Sequence, residues 1–526
     1  MGKILEKWWR EHPYARIAYM MGAIFTVMFF AFSEMVWTYG CILAMLCFAL
    51  RPQSQVHNQL LENFNFAKIW VILFVTMATV ACCILPMDNH SLWNGEIPGH
   101  RNQYELMAEN LLEGRLHFAY GDESALLALE NPYDPAARKA SGLPYHWDHA
   151  YYDGQYYMYF GIVPVLLLFL PYRVLTGTAL TTYCATQVFT AVFIVGVFAL
   201  FYLLVRKFFP KLPLSVYLAL SVAISVMSIW YAAAEPALYC TAITAAMALE
   251  IWSLYFFVRG VWCVEKENKQ LVFAGIGAAL GALVFGCRPP IALANLLVLP
   301  MLWVFLKQRK FSRKLLGKMA LAALPYVVVA VALMAYNYAR FDNPFEFGQK
   351  YQLTVADQSQ YSLRLDAETL QKLFESTKDN FFFHEDRSET FPYLKTNSVF
   401  FNFPILLLGL GAIPGWRGLK KTGLLPLFLF TGITAVVITA VDVLWTPYLL
   451  ERYRMDIYFL MGIGCFVAFG AWHHRCAPKG KRYLNFTAGA LSVCTVVCSF
   501  LYYVKTVGVY YPEKVTEVAK LLGLGQ

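Results

Sequence analysis

The densest chemistry-bearing segment of this 526-residue chain runs Tyr145-His146-Trp147-Asp148-His149-Ala150-Tyr151-Tyr152-Asp153-Gly154-Gln155-Tyr156-Tyr157-Met158-Tyr159-Phe160-Gly161. Eight aromatic residues surround two aspartates there. Aromatic faces stack on the apolar faces of sugar rings, and carboxylates accept from sugar hydroxyls. Tyr and Trp also collect at membrane interfaces because they are amphipathic, which accounts for many of the tyrosines. It does not account for Asp148 and Asp153 beside an apolar surface. A carboxylate in such a place has a raised pKa and can take a proton from a hydroxyl. The competing role for each aspartate is a turn or a structural hydrogen bond. Asp148 and Asp153 are the candidate catalytic groups, and Tyr152, Tyr156 and Tyr157 the candidate chamber-lining rings.

Further charged points stand where apolar runs end. Glu235-Pro236 and Arg288-Pro289-Pro290 occupy tight turns, and Glu451-Arg452-Tyr453-Arg454-Met455-Asp456 opens a late apolar run. Arg340 precedes Phe341-Asp342-Asn343-Pro344. Arginines in such places hold phosphate by bidentate contacts, or else snorkel to lipid headgroups. Glu105 lies in a stretch whose apolar residues at 104, 107/108 and 111/112 repeat with helical spacing, with Gly114 as a stop. That stretch reads as an amphipathic helix on a membrane surface. Glu105, Glu235, Arg288, Arg340, Arg452 and Tyr453 complete the candidate substrate-binding set.

The elements that must hold these residues are transmembrane helices. Hydrophobic residues make up 59% of the chain and charged residues 15%, against about 45–50% and about 25% in a soluble domain. This excludes both a soluble globular enzyme and a disordered protein. Apolar runs near 17–34, 37–50, 68–86, 182–206, 213–232, 237–258, 271–287, 290–306, 316–338, 400–414, 422–441, 456–473 and 484–503 predict thirteen spans. The net charge of +9 does not indicate nucleic acid. With 160–172 left out of the count, 25 of 43 basic residues fall on one side, nearly all in short loops. The run 160–172, broken by Pro164 and Pro171, is therefore expected to lie at the interface. The N-terminus is expected in the cytoplasm and the C-terminus outside, in the plasma membrane.

The expected fold is all-α, with two large extracytoplasmic loops carrying interfacial helices. Its parts are residues 1–86 with three spans, a first outer loop 87–181, a six-helix core 182–338, a second outer loop 339–399, four spans in 400–503, and an outer tail 504–526. Segments 87–158 and 339–400 together hold 21 of the 34 carboxylates. Among the spans, only Glu250 reads as an ionisable group well inside, in the role of a structural partner. No inside loop exceeds about 17 residues, too short for a nucleotide-binding domain, so the substrate must come through the membrane or from outside.

No Walker loop, H-E-x-x-H or G-x-S-x-G motif is present. Gly277 and Gly281 read as a close helix approach, not a dinucleotide loop. His473-His474 beside Arg475 reads as a solvated helix end. The 12 cysteines lie mostly in apolar runs and outline no disulfide framework.

On these residues the chain resembles the GT-C superfamily of membrane glycosyltransferases, in layout the protein O-mannosyltransferases and the lipid A aminoarabinose transferases. Tyr104 to Gly114 is similar to that family's first-loop helix, and Gly154 to Pro164 to its tyrosine- and proline-bearing approach to an interfacial helix. Glu235-Pro236 resembles a second outer acid, Gly286-Cys287-Arg288-Pro289-Pro290 a basic residue before a Pro-led span, and Arg452-Tyr453 a late Arg-Tyr. Where the family commonly carries an acid ahead of the first-loop Tyr, His100 and Arg101 stand here. The hairpin 17–50 is additional. The resemblance implies transfer of a sugar from a polyprenyl-phosphate carrier to an acceptor hydroxyl of a glycan, lipid or protein. Asp153 or Asp148 would be the base, Arg288 and Arg452 would meet the leaving phosphate, and Glu235 would orient sugar or acceptor. No nucleotide or other cofactor is required. A divalent cation is compatible with the pattern, although no spacing specifies a metal site. The partners are the donor, membrane lipids and the acceptor. The rivals are a lipid-linked sugar transporter, which needs polar groups through the depth of a cavity, and an envelope scaffold, which leaves the aromatic–acid cluster without a task.

Overall fold

The computed structural model describes residues 35–87 and 102–524, apart from positions 53, 63–65, 237, 308, 310–311, 361–365, 384, 386–387, 396 and 447–448. The expected span 17–34, the basic N-terminus, and His100-Arg101 lie outside the described residues. The structure is 76% helical, which makes the chain nearly all-α. Among the described residues ten helices are long and apolar enough to cross a membrane. They are α1 (Phe66–Ile84), α2 (Thr182–Phe208), α3 (Leu214–Ala234), α4 (Leu238–Cys263), α5 (Glu267–Phe285), α6 (Pro289–Lys307), α7 (Arg313–Phe341), α8 (Leu425–Trp445), α9 (Glu451–Arg475) and α10 (Pro478–Val507). The protein is a multi-pass membrane protein.

Two other expected spans differ from the sequence reading. The run 37–50 forms Met35–Leu50, 16 residues long. The run 400–414 is not one helix. It divides into Val399–Asn402, a 3-10 segment Pro404–Gly411, and Ala412–Thr422. Pro404 fixes φ and lacks an N–H, which ends the helix before it. The freed groups find partners: the Ile405 N–H donates to Thr495 Oγ1 at 3.0 Å, and Cys465 Sγ–H donates to the Leu406 carbonyl at 3.3 Å. Asn402 accepts from Tyr502 at 2.8 Å and donates to Tyr458 at 2.8 Å. A broken backbone survives at membrane depth only when its polar groups are satisfied in this way.

Helices α3 and α9 form the centre and are almost entirely buried, while few residues of α7 are buried before its last turns. The centre is aromatic and tightly filled: Phe201 of α2 stacks on Phe466 of α9 with ring centroids 4.0 Å apart. Glu250, wholly buried in α4, has the structural partner expected of it. Asn295 Nδ2 donates to Glu250 Oε2 at 3.2 Å, and to the Gly281 and Ala292 carbonyls at 3.1 and 3.0 Å. Tyr326 donates to Asn295 Oδ1 at 2.5 Å. Asn295 lies in the 3-10 segment Leu293–Leu297 that interrupts α6, so the network holds the interruption closed. Gly281 is required beside it, since a Cβ there would stand 2.1 Å from Asn295 Oδ1.

The first large loop carries the expected surface helix, Gln103–Leu112, ending at Gly114 with φ +74°. It also carries a small antiparallel sheet of order β1–β3–β2, from β1 (His117–Phe118), β2 (Ala150–Tyr152) and β3 (Gln155–Tyr157). The run 160–172 does not form a helix long enough to count as a span. It forms a short π-helical turn Val165–Phe169 followed by Leu170–Thr176, with Leu166, Leu167, Val174 and Leu175 exposed. The second loop follows α7. Its backbone joins the sheet where Ala150 pairs with Gln352, and it then forms the amphipathic helix Ala367–Phe382. The tail is a helix over Pro512–Leu521.

Candidate functional site

A cavity of about 410 Å³ lies where the first loop, the second loop and several helix ends meet. Its size falls within the roughly 300–1,000 Å³ of small-molecule sites. Asp148, Arg288, Arg340, Arg452 and Tyr453 all line it. These five come from four separate stretches of chain, and the fold brings them to one chamber.

Asp148 is held from every side. Its backbone takes φ 56°, a left-handed conformation that Asp tolerates better than most residues. Its N–H donates to the Leu353 carbonyl at 2.9 Å, and its carbonyl accepts from Gln103 Nε2 at 2.7 Å. Its carboxylate accepts from Gln352 Nε2 at 2.8 Å and from the Tyr239 hydroxyl. Burial pushes its pKa up, opposed by hydrogen bonds from Tyr239 and Thr354, the charge of Arg452 and the hydrogen bond from Gln352. A carboxylate raised by burial is a stronger base than a solvated one, while the hydrogen bonds and the nearby guanidinium favour its charged form.

Tyr239 links this carboxylate to the arginines. The Arg452 guanidinium stacks on the Tyr239 ring at 4.1 Å. Tyr453 stands between two guanidinium groups, with Arg288 4.8 Å and Arg452 5.6 Å from its centroid. Arg288 precedes the Pro289-Pro290 turn that starts α6, and its Nε and Nη2 both donate to Asp456 Oδ2 at 2.7 Å. Asp442, at the end of α8, also lines the cavity, and it interacts electrostatically with Asp456 and Arg288. Among the described residues no carboxylate lies within ion-pair distance of Arg452, which is held by ring faces. It is the cation of this pair left available to an incoming anion.

The remaining expected residues stand elsewhere. Asp153 and Gly154 (φ 48° and 71°) form the two-residue turn between β2 and β3. Asp153 is exposed and does not line the cavity. The physical reason is local: a two-residue hairpin turn needs positive φ at both central positions, and Asp-Gly supplies it. Tyr156 packs edge-on to His146 at 4.8 Å, inside the loop domain. Tyr152 and Tyr157 pack against Phe341 at 5.8 and 5.3 Å. None of these three tyrosines lines the cavity. Glu235 does not line it either: Tyr231 donates to its Oε2 at 3.0 Å, and Tyr510, a lining residue, bonds its side chain. Burial raises its pKa.

Glu105 lies away from the cavity on the Gln103–Leu112 helix. Burial, and then the charge of Glu109, push its pKa to about 7. Glu109 itself pairs with Arg173 at 2.8 Å, joining this helix to the helix Leu170–Thr176. A folded-state pKa above the ordinary 4.5 means that the protonated form is favoured by folding. That stabilisation is complete below about pH 4.5 and is lost as pH rises through about 7. Glu105→Gln should therefore flatten this part of the fall in thermal midpoint between about pH 4.5 and 7. An unchanged slope would mean that Glu105 is solvated in the folded protein.

Sequence reasoning passed over Tyr239, Gln352, Tyr336, Asn337 and Asp442. Asp442 carried a signal, being an acid close to the end of an otherwise apolar run. The others are ordinary polar residues whose role exists only once α4, α7 and the second loop converge. Among the described residues no group of three or more His, Cys, Asp or Glu side chains converges as a metal site would require. No family model, no curated protein and no solved structure matches the chain.

Proposed function

We propose that this protein is a glycosyltransferase that moves a sugar from a polyprenyl-phosphate carrier to an acceptor hydroxyl on the extracytoplasmic face of the plasma membrane. The observation that carries this reading is a single cavity holding a buried, hydrogen-bonded carboxylate and a guanidinium pair. Asp148 takes the proton of the acceptor hydroxyl as its oxygen bonds to the sugar's anomeric carbon. The bond from that carbon to the phosphate oxygen breaks, and its electron pair leaves with the phosphate. Arg452, together with Arg288, stabilises the charge that grows there. Glu235 orients the Arg452 side through Tyr231 and Tyr510. The reading requires no nucleotide or organic cofactor and is compatible with a divalent cation. The reading keeps thirteen spans with the N-terminus inside, because the basic residues then gather in short loops opposite the cavity.

The test is donor binding. Arg452→Gln is expected to weaken undecaprenyl phosphate binding by about 10- to 100-fold, the loss of one charged contact, as read by native mass spectrometry. Unchanged affinity would remove Arg452 from the phosphate site.

A further inference from the structure

Arg340 is the second cation of the cavity that lacks a counter-charge. It is 5% exposed, at the end of α7. Nη1 donates to the Met158 carbonyl and Nη2 to Asn337 Oδ1, each at 2.8 Å. Nε is buried without a partner. The guanidinium lies against two rings, Tyr336 at 3.9 Å and Phe341 at 4.5 Å. The Tyr336 hydroxyl, on another lining residue, is also buried without a partner. Among the described residues no carboxylate lies within ion-pair distance of Arg340. Glu346 acts on it only through space and is itself paired with Lys350 at 3.1 Å.

A buried cation without a counter-ion is costly unless something completes it. Arg288 is completed by Asp456. Arg340 is not, and none of the groups that bond to it or stack on it touches Arg288 or Arg452. The cavity therefore has two cationic poles. One is built around Tyr453, from the turns that open α6 and α9. The other is built on the last turn of α7.

We propose that Arg340 and Tyr336 form a second anion site in this cavity, which takes an oxyanion carried by the acceptor substrate, such as a phosphoryl or carboxylate group. The assignment to the acceptor rests on the transferase reading, whereas the existence of a second anion site does not. The guanidinium supplies charge and the Tyr336 hydroxyl a neutral donor. The stacked rings exclude water and so strengthen both. The acceptor hydroxyl would then reach Asp148 from a molecule anchored by its own anion, which restricts acceptors to anionic glycans or lipids.

The experiment is calorimetric titration of the purified full-length protein in detergent with inorganic phosphate. Two saturable binding events are expected. Arg340→Gln should lose one and Arg452→Gln the other, each by at least tenfold in affinity, while Arg340→Lys keeps both. Tyr336→Phe should weaken the Arg340 event alone, and it serves if Arg340→Gln fails to fold. Saturation with undecaprenyl phosphate should remove only the event that depends on Arg452. A folded Arg340→Gln protein that still binds two phosphates would overturn the proposal, and so would a wild type that binds only one. Loss of both events to undecaprenyl phosphate would overturn it as well. Two phosphate events in a protein that ignores undecaprenyl phosphate would refute the donor reading and leave the second anion site standing.

Discussion

Asp148→Asn is expected to lower sugar transfer by about 10³-fold, the contribution typical of a positioned general base. Donor lipid binding should stay largely intact, because asparagine has nearly the same shape: its oxygen can still accept from Gln352, and its NH2 can donate to the Tyr239 hydroxyl oxygen. The pH profile gives a second readout. Burial raises the Asp148 pKa, so the acid limb of kcat/KM should lie above the ordinary aspartate range. Activity should rise with pH through it, as a base must be deprotonated to act. In Asp148→Asn the residual rate should lose that limb. Asp153→Asn is the matched control: on the hairpin turn it should leave transfer unchanged. Equal losses in the two variants would contradict the placement of the chemistry at Asp148.

Gly161→Ala should have the second large effect. A Cβ at Gly161 would stand 2.2 Å from the Gly286 carbonyl oxygen and 2.6 Å from that of Cys287. Both obstacles are backbone, so no side chain can swing aside. The contact is also the joint between the first loop and the turn bearing Arg288, where the Val163 N–H donates to the same Gly286 carbonyl at 3.0 Å. Forcing the strands of this joint apart is expected to cost about 3 kcal/mol or more and to displace Arg288. The thermal midpoint should fall and donor binding should fall with it. Gly317→Ala is the control, because nothing lies within 4 Å of its added Cβ. It sits in the exposed start of α7 and should raise helix stability slightly. A Gly161→Ala protein with wild-type midpoint and binding would show that the joint opens freely.

The membrane class and most spans were legible because hydrophobic length and loop charge are properties of contiguous sequence. The interfacial reading of 160–172 rested on Pro164, Pro171 and the basic loops, and the short helices there agree with it. The break inside the run 400–414 was not legible, because hydropathy counts Pro404 as a minor interruption, although it ends the short helix Val399–Asn402. In the site, Asp148 and Asp153 were indistinguishable by type and neighbourhood. Their difference lies in Asp153-Gly154, a hairpin turn signal flanked by alternating tyrosines that was available and outweighed by the aromatic pattern. Arg288, Arg452 and Tyr453 could be named from helix-end position alone. That Asp456 neutralises one arginine while Arg340 stands unpaired depends on contacts between α6, α7 and α9. No local pattern in the sequence encodes those contacts.

The most direct test of the central claim is mass spectrometry of the purified protein incubated with a panel of undecaprenyl-phosphate sugars and candidate acceptors. The account predicts that one donor loses its sugar and yields free undecaprenyl phosphate, that wild type and Asp153→Asn do this alike, and that Asp148→Asn does not. Neither binding nor turnover of any donor would contradict it and leave the cavity to a different ligand.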